Sequence, residues 1–226
     1  MDHKKITSHL EEFVSENKQQ LIDKVLSERT KHFTVVLEDL FDPHNISAVI
    51  RTCDCFGIQD LYITQHLHEY NVNPKIVKGA SKWVTLHKFE EKSTSTKECF
   101  EKLRSEGYRL VGTTPDPYNA SIHEMDINDK TAMVFGSEIA GLSDFAKGEV
   151  DELVHIPMYG FTESFNISVS AAMILQTLVR RLKLSEVEWN LSETEKLQLK
   201  LEWYKKIVKR SDLHIKNLLG EKEENI

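Results

Sequence analysis

From Phe33 onward the chain alternates short, nearly all-apolar runs with longer segments whose apolar residues recur every three or four positions. The short runs are FTVVLE at 33–38, LYIT at 61–64, WVTLHKF at 83–89, RLVGT at 109–113, TAMVF at 131–135 and LVHIP at 153–157. Their length and β-branched content predict strands, and the unbroken ones predict strands covered on both faces. Between them, Ile46–Phe56 and Ser95–Glu106 carry helical spacing and stop at Gly57 and Gly107. A short helix is expected near Lys75–Ala80, after a loop with Asn71, Asn73 and Pro74. The last helix of the series runs to Leu184, with Ile167, Ala171, Ile174, Leu175, Leu178 and Leu182 on one broad apolar face. Strand, helix and strand within about thirty residues form a βαβ unit, so the pattern predicts a parallel sheet and an α/β fold.

The two ends read differently. Residues 6–31 predict one helix, with Leu10, Phe13, Val14, Leu21, Ile22, Val25 and Leu26 on its apolar side. Beyond Leu184, Ser192 and Glu195 form a capping-box signature. Leu197, Leu201, Tyr204 and Val208 then mark one helix face and lysines the other, and the terminal GEKEENI is expected to fray. The chain thus divides into an N-terminal helical extension (1–32), a central α/β domain (33–184) and a C-terminal helical extension (185–226).

Composition narrows the class. With 226 residues, 40% hydrophobic, there is enough chain for one good-sized core with appendages. No apolar run reaches the ~18 residues of a membrane span, and the start, MDHKKITSHLEEF, has no apolar signal region. Three cysteines, an odd number, fit reduced thiols in a cytoplasmic protein. Cys53 and Cys55 lack the second pair or nearby histidines of a zinc site, so no metal is expected. The net charge of −7 speaks mildly against a nucleic-acid partner. Its distribution does not: between Lys196 and Lys216 seven Lys/Arg face only Glu202 and Asp212. Lys196, Lys200, Lys205, Lys206, Lys209 and Arg210 are therefore candidates for RNA contact, with Lys75, Lys78 and Lys82 as further ones; an ordinary solvated helix face is the other reading.

In open α/β sheets ligands bind beyond the carboxyl ends of strands. Three loops qualify. After FTVVLE, the turn Asp42-Pro43-His44-Asn45 leads into a helix bearing Arg51. Asn45 is either its N-cap or a site residue, and Arg51 either snorkels among apolar neighbours or serves a site. After TAMVF comes Gly136-Ser137-Glu138-Ile139-Ala140-Gly141-Leu142-Ser143. It is not a phosphate-binding P-loop, because no Lys-Ser/Thr follows the second glycine, and no G-x-G-x-x-G follows any strand. Glu138 is either a turn residue or a site carboxylate. After LVHIP, the loop Met158–Asn166 opens the long helix, and Ser164 or Asn166 either caps it or faces a site.

Taken together, PHNISAVIRTCDCFG, FGSEIAGLS and IPMYGFTESFNISVSAA resemble the three motifs of the SPOUT superfamily, and most closely its TrmH branch of tRNA 2′-O-methyltransferases. The resemblance runs from about Phe33 to Leu184 and includes GASKWVTL and RLVGTT. It implies a parallel sheet with a deep C-terminal trefoil knot, S-adenosylmethionine as methyl donor, a homodimer with each active site at the interface, and a 2′-O-methylated guanosine in the tRNA D-loop (Gm18 type) as product. Carried over residue by residue, Asn45, Arg51, Glu138, Ser164 and Asn166 match the catalytic positions. Thr113, Gly136, Ile156, Met158 and Phe165 would surround the cofactor; Phe165 stands where the family usually has leucine. The family assigns proton uptake to the arginine. A guanidinium pKa above about 12 suits a phosphate clamp better. The same fold acting on rRNA, and a catalytically silent RNA-binding dimer, are the alternatives.

Overall fold

A computed structural model describes residues 3–65, 79–91 and 93–220 of the chain. They fall into two units, one within Thr30–Trp189 and the other formed by residues 3–29 and 190–220.

The larger unit is built on one sheet. Its strands are β1 (Phe33–Glu38), β2 (Asp60–Thr64), β3 (Thr85–Phe89), β4 (Arg109–Thr113), β5 (Ala120–Ser121), β6 (Thr131–Phe135) and β7 (Glu152–His155). They lie in the order β3-β2-β1-β6-β4-β7-β5, and every pairing is parallel. All residues of β1, β2 and β6 are buried, as their unbroken apolar runs predict. The register sets Val35 beside Met133 and Leu61, so the three central strands share one apolar layer. Among the described residues its helices are α3 (Pro43–Cys55), α4 (Ser95–Ser105), α5 (Asp144–Glu149) and α6 (Ile167–Lys183). On one side Ile46, Val49, Ile50 and Cys53 of α3 and Ile174, Leu175 and Leu178 of α6 pack on Val35, Leu37 and Met133. On the other, Cys99, Phe100 and Leu103 of α4 pack on Val36, Tyr62, Ala132 and Val134.

Two local expectations change, and a third falls largely on residues not described. The helix begins at Pro43, with Asp42 as its N-cap accepting from His44 N at 2.8 Å, so Asn45 lies inside the first turn and is not the cap. Pro at the first helical position and Asp before it were the available signal. The two-residue β5 and the six-residue α5 were not expected, both being too short to show a period. The predicted helix near Lys75–Ala80, its preceding loop, Lys75 and Lys78 lie outside the described residues, except that Ala80–Lys82 form a 3-10 turn.

The smaller unit holds α1 (His3–Glu11), α2 (Glu16–Ser27), α7 (Glu193–Ile207) and α8 (Ser211–Leu219). The single helix expected over residues 6–31 is thus two. Tight turns close Phe13 N on Leu10 O and Val14 N on Glu11 O. The Gln19 amide also donates to the carbonyls of Glu11 and Val14 at 3.0 and 2.7 Å. The break lets Ile6 and Leu10 of α1, and Ile22 and Leu26 of α2, all be buried. The capping box at Ser192 and Glu195 forms as expected. Arg29, 1% exposed, lies against the Trp203 ring.

Candidate active site

The carboxyl ends of β4, β6 and β7 open onto a cleft of about 570 Å³. Its floor is apolar, from Leu142, Val154, Ile156 and Ile174, and its rim carries Met158, Ser164, Phe165 and Asn166. One wall is the loop Gly136–Leu142. Ser137 and Gly141 exchange two backbone hydrogen bonds of 3.0 Å, which pinch this loop into a tight excursion. Gly141 takes a positive φ of 68° to close it. Gly136 is needed for another reason. A Cβ there would sit 2.1 Å from the Gly141 carbonyl carbon and 2.2 Å from Leu142 N, so the backbone runs through the space a side chain would occupy.

At the mouth a chain of hydrogen bonds ties the three candidate loops together. Phe41 N donates to Glu138 Oε2 at 3.3 Å, and Asn45 Nδ2 donates to Glu138 Oε1 at 2.9 Å. Asn166 Nδ2 donates to Asn45 Oδ1 at 3.1 Å. Asn166 Oδ1 accepts from Ser168 N and Ser168 Oγ at 2.9 and 2.6 Å, which makes it the N-cap of α6 as well. These bonds fix both amide orientations. With its oxygen occupied by Ser168, Asn166 must present its NH₂ to Asn45, and Asn45 must then present its own to the carboxylate. The donors all run one way and end on Glu138. Capping and site placement therefore coexist at Asn166.

The remaining predicted positions divide. Thr113, Gly136, Ile156, Met158 and Phe165 all line the cleft, as do Glu138, Ser164 and Asn166. Asn45 is 8% exposed and reaches the rim through its hydrogen bonds. Arg51 is not brought to this group. It is exposed, makes no hydrogen bond or ion pair among the described residues, and does not line the cleft. Six residues along a helix from Asn45, it projects about 120° away around the axis. The cleft also includes Thr114, Ser137, Leu142, Lys147 and Ile174, which the motifs did not single out. For Thr114, Ser137, Leu142 and Ile174 the common signal is position, beyond a strand's carboxyl end or on the inner face of α6; Lys147 comes from the short α5, which showed no period.

The basic face of α7 is less available than its composition suggests. Lys196 pairs with Glu193 at 2.7 Å and Lys205 with Glu202 at 3.1 Å. Lys200 is turned inward, 2.8 Å from Glu11 and 2.9 Å from Asp23, with its side chain 18% exposed. It is a structural cation, because α1 and α2 fold against the face of α7 that carries it. Tyr204 Oη also donates to Glu11 at 2.8 Å. Burial works to raise the Glu11 carboxyl, but the hydrogen bonds from Lys200 and Tyr204 prevail and hold it below the usual carboxylate range. A lowered folded-state pKa adds stability that is present above the unfolded value and lost as pH falls through the folded one. Acid should therefore loosen this helical unit. Lys200→Met should cost about 1–3 kcal/mol in a denaturant titration, since it strips charge-assisted hydrogen bonds from two carboxylates. Lys209 and Arg210 are exposed. If they make the RNA contact expected of this basic face, alanine at both should weaken that contact and flatten its dependence on salt.

The cleft places this protein among the α/β folds that hold a ligand at the carboxyl edge of a parallel sheet. Within that class the chain belongs to the SpoU methylase family: the model described as the SpoU rRNA Methylase family matches residues 32–176. The chain is 38% identical over 211 residues to a tRNA (guanosine(18)-2′-O)-methyltransferase of Borreliella burgdorferi, covering 93% of this chain and 94% of that one. Among solved structures it resembles the TrmH/SpoU tRNA modifying enzyme of Aquifex aeolicus. The TM-score is 0.75 at 29% identity, over 86% of this chain and 98% of that one. It also resembles the SpoU methyltransferase AviRb of Streptomyces viridochromogenes in complex with AdoMet. There the TM-score is 0.59 at 25% identity, over 73% of this chain and 62% of that one.

Proposed function

We propose that the protein transfers a methyl group from S-adenosylmethionine to the ribose 2′-oxygen of a guanosine in the tRNA D-loop (Gm18 type), acting as a cytoplasmic homodimer. The observation that carries this reading is the hydrogen-bond chain from Asn166 through Asn45 to Glu138 at the mouth of a cleft of cofactor size. The names of the relatives supply the substrate class.

The cleft suits the cofactor. Its volume lies in the range of small-molecule sites, and its floor is apolar with polar backbone at the edges. The missing Cβ of Gly136 lets loop backbone approach the space closely. Thr113, Gly136, Ile156, Met158 and Phe165 would hold the group by backbone contact and apolar walls. When bound, S-adenosylmethionine supplies a methyl carbon made electrophilic by its sulfonium sulfur. Glu138, with its two oxygens committed to Phe41 N and Asn45, fixes the amide chain, so that Asn45 and Asn166 meet the ribose as a pre-set polar edge. Ser164 makes no hydrogen bond among the described residues and is free to meet the nucleotide. Arg51 grips a phosphate beside the target ribose, which positions the 2′-oxygen.

The homodimer rests on exposed apolar groups around the cleft mouth. Phe41 is 63% exposed, Ile139 97%, Val169 44% and Met173 39%. Such grouping on loops and one helix face marks an association surface. It also accounts for Arg51: set away from its own cleft, it would serve the partner's. The deep knot is part of the same reading. β6 and β7 flank β4 in the sheet although β4 precedes both in the chain, a crossing that suits threading of the segment from β6 to α6.

Incubation with methyl-labelled S-adenosylmethionine and either bulk tRNA or rRNA tests the function, with the product nucleotide mapped. Label at a D-loop guanosine of tRNA is expected. Label only in rRNA would move the protein to the rRNA branch of the family, and saturable S-adenosylmethionine binding with no transfer to either RNA would leave a binding protein.

A further inference from the structure

Glu38 closes β1, is 2% exposed and does not line the cleft, yet its carboxylate holds the loop that does. Glu38 Oε2 accepts from Ser143 N at 3.0 Å, and Oε1 accepts from Ser143 Oγ at 2.8 Å and Thr96 Oγ1 at 3.1 Å. Ser143 Oγ also accepts from Ala146 N at 3.0 Å as the N-cap of α5, so its proton is committed to Glu38. Ser143 directly follows Leu142, the last residue of the cleft wall. At the other end of that wall Gly136 leaves β6. The wall is therefore hung between a strand and a buried carboxylate.

The arrangement is reciprocal. The segment 38–45 sends Glu38 to Ser143, and the loop 136–143 sends Glu138 back to Phe41 N and Asn45. Each segment locks the other through one glutamate. Asp39, between the two attachments, takes a positive φ of 51°, which swings the chain from the buried strand end towards the cleft mouth.

We propose that Glu38 is a positioning residue for cofactor binding, acting through Ser143 to hold the Gly136–Leu142 wall at the separation the methyl donor needs. The inference rests on the methyltransferase reading above. Glu38→Gln keeps the volume of the side chain but offers only one acceptor atom, so the Ser143 N–H and the two hydroxyls cannot all be satisfied. Ser143→Ala removes the hydroxyl from the other side. Thr96→Val removes the third contact, which comes from α4 and leads away from the wall; it serves as the control for simple destabilisation.

Affinity for S-adenosylmethionine, measured by calorimetry well below the melting temperature of each variant, is the deciding quantity. Glu38→Gln and Ser143→Ala should each weaken it about tenfold, as loss of hydrogen bonds to a charged group predicts. The double variant should weaken it no further, because both changes break one linkage. Thr96→Val should lower the melting temperature and leave affinity unchanged. Unchanged affinity in Ser143→Ala, additive losses in the double variant, or an equal loss in Thr96→Val would overturn the proposal. Should Glu38→Gln not fold, the comparison of Ser143→Ala with Thr96→Val still decides it. A wild-type protein that binds no S-adenosylmethionine would instead overturn the functional reading.

Discussion

Gly136→Ala should abolish methyl transfer while leaving most of the sheet folded. The new Cβ would lie 2.1 Å from the Gly141 carbonyl carbon, 2.2 Å from Leu142 N and 2.3 Å from Gly141 O. All three are backbone atoms, so no rotamer change relieves the clash. The loop must open, which breaks the paired Ser137–Gly141 hydrogen bonds and shifts the cleft wall. The expected result is a loss of S-adenosylmethionine affinity of about a hundredfold or more, since two backbone bonds and the wall's placement go together. Two other glycines give a graded comparison. At Gly112 a Cβ would meet the tips of Leu142 and Leu153 at 2.7 and 2.8 Å, side chains that can turn aside. Gly112→Ala should therefore cost stability before it costs binding. At Gly148 nothing lies within 4 Å, and Gly148→Ala should be silent in both assays. Equal affinities in the three variants would remove the cofactor from this cleft.

If the protein forms the homodimer proposed above, mixed dimers should restore activity to two inactive variants. Arg51→Ala and Glu138→Ala are each expected to be inactive alone. If Arg51 serves the partner's cleft, a dimer with one copy of each variant has one site with an intact glutamate and an intact arginine. Co-refolding in equal amounts makes about half the dimers mixed, each with one working site, so about a quarter of wild-type activity should return. An arginine acting on its own chain's cleft predicts no recovery, because neither site would then be complete. The physical basis is the divergence of Asn45 and Arg51 on α3: Asn45 is buried against Glu138, and Arg51 points away, exposed and unpaired among the described residues. Arg51→Lys adds a second reading. It keeps the charge and loses the planar fork, so a phosphate clamp should lose tRNA affinity with an unchanged pH profile of the residual rate.

Much of the fold was legible. FTVVLE and TAMVF are too uniformly apolar to face water on either side, and both are central strands. The spacing of Ile167, Ala171, Ile174, Leu175, Leu178 and Leu182 marked the apolar face of α6; all are buried except Ile167, which is half-buried at the helix start. What escaped was short or conditional. β5 and α5 exist because neighbours hold them: Ser121 pairs with His155, and Ser143 is fixed on Glu38. The continuous helix expected through Phe13 failed because apolar spacing continues across a break that a glutamine amide stabilises.

The site shows the same division. The motifs named Asn45, Glu138, Ser164 and Asn166 as a set, but each alone had an ordinary local explanation. The structure joins three of them in one directed hydrogen-bond chain and sets Ser164 on the rim of the same cleft. Lys200 went the other way. It looked like part of a basic surface and is instead held by Glu11 and Asp23, which come from the other end of the chain.

By itself the sequence determined the element types, the α/β class, the family resemblance and the identity of the residues at the cleft mouth. Those follow from local periodicity, turn chemistry and motif spacing, which a chain carries along its length. Only the tertiary structure decided the strand order β3-β2-β1-β6-β4-β7-β5, the inward turn of Lys200, the joining of Asn45 to Glu138 and Asn166, and the anchorage of the cleft wall on Glu38. These depend on which distant segments meet. Pairing of β6 between β1 and β4, or of a carboxylate at residue 38 with a serine at 143, is set by burial and hydrogen-bond satisfaction across the whole domain.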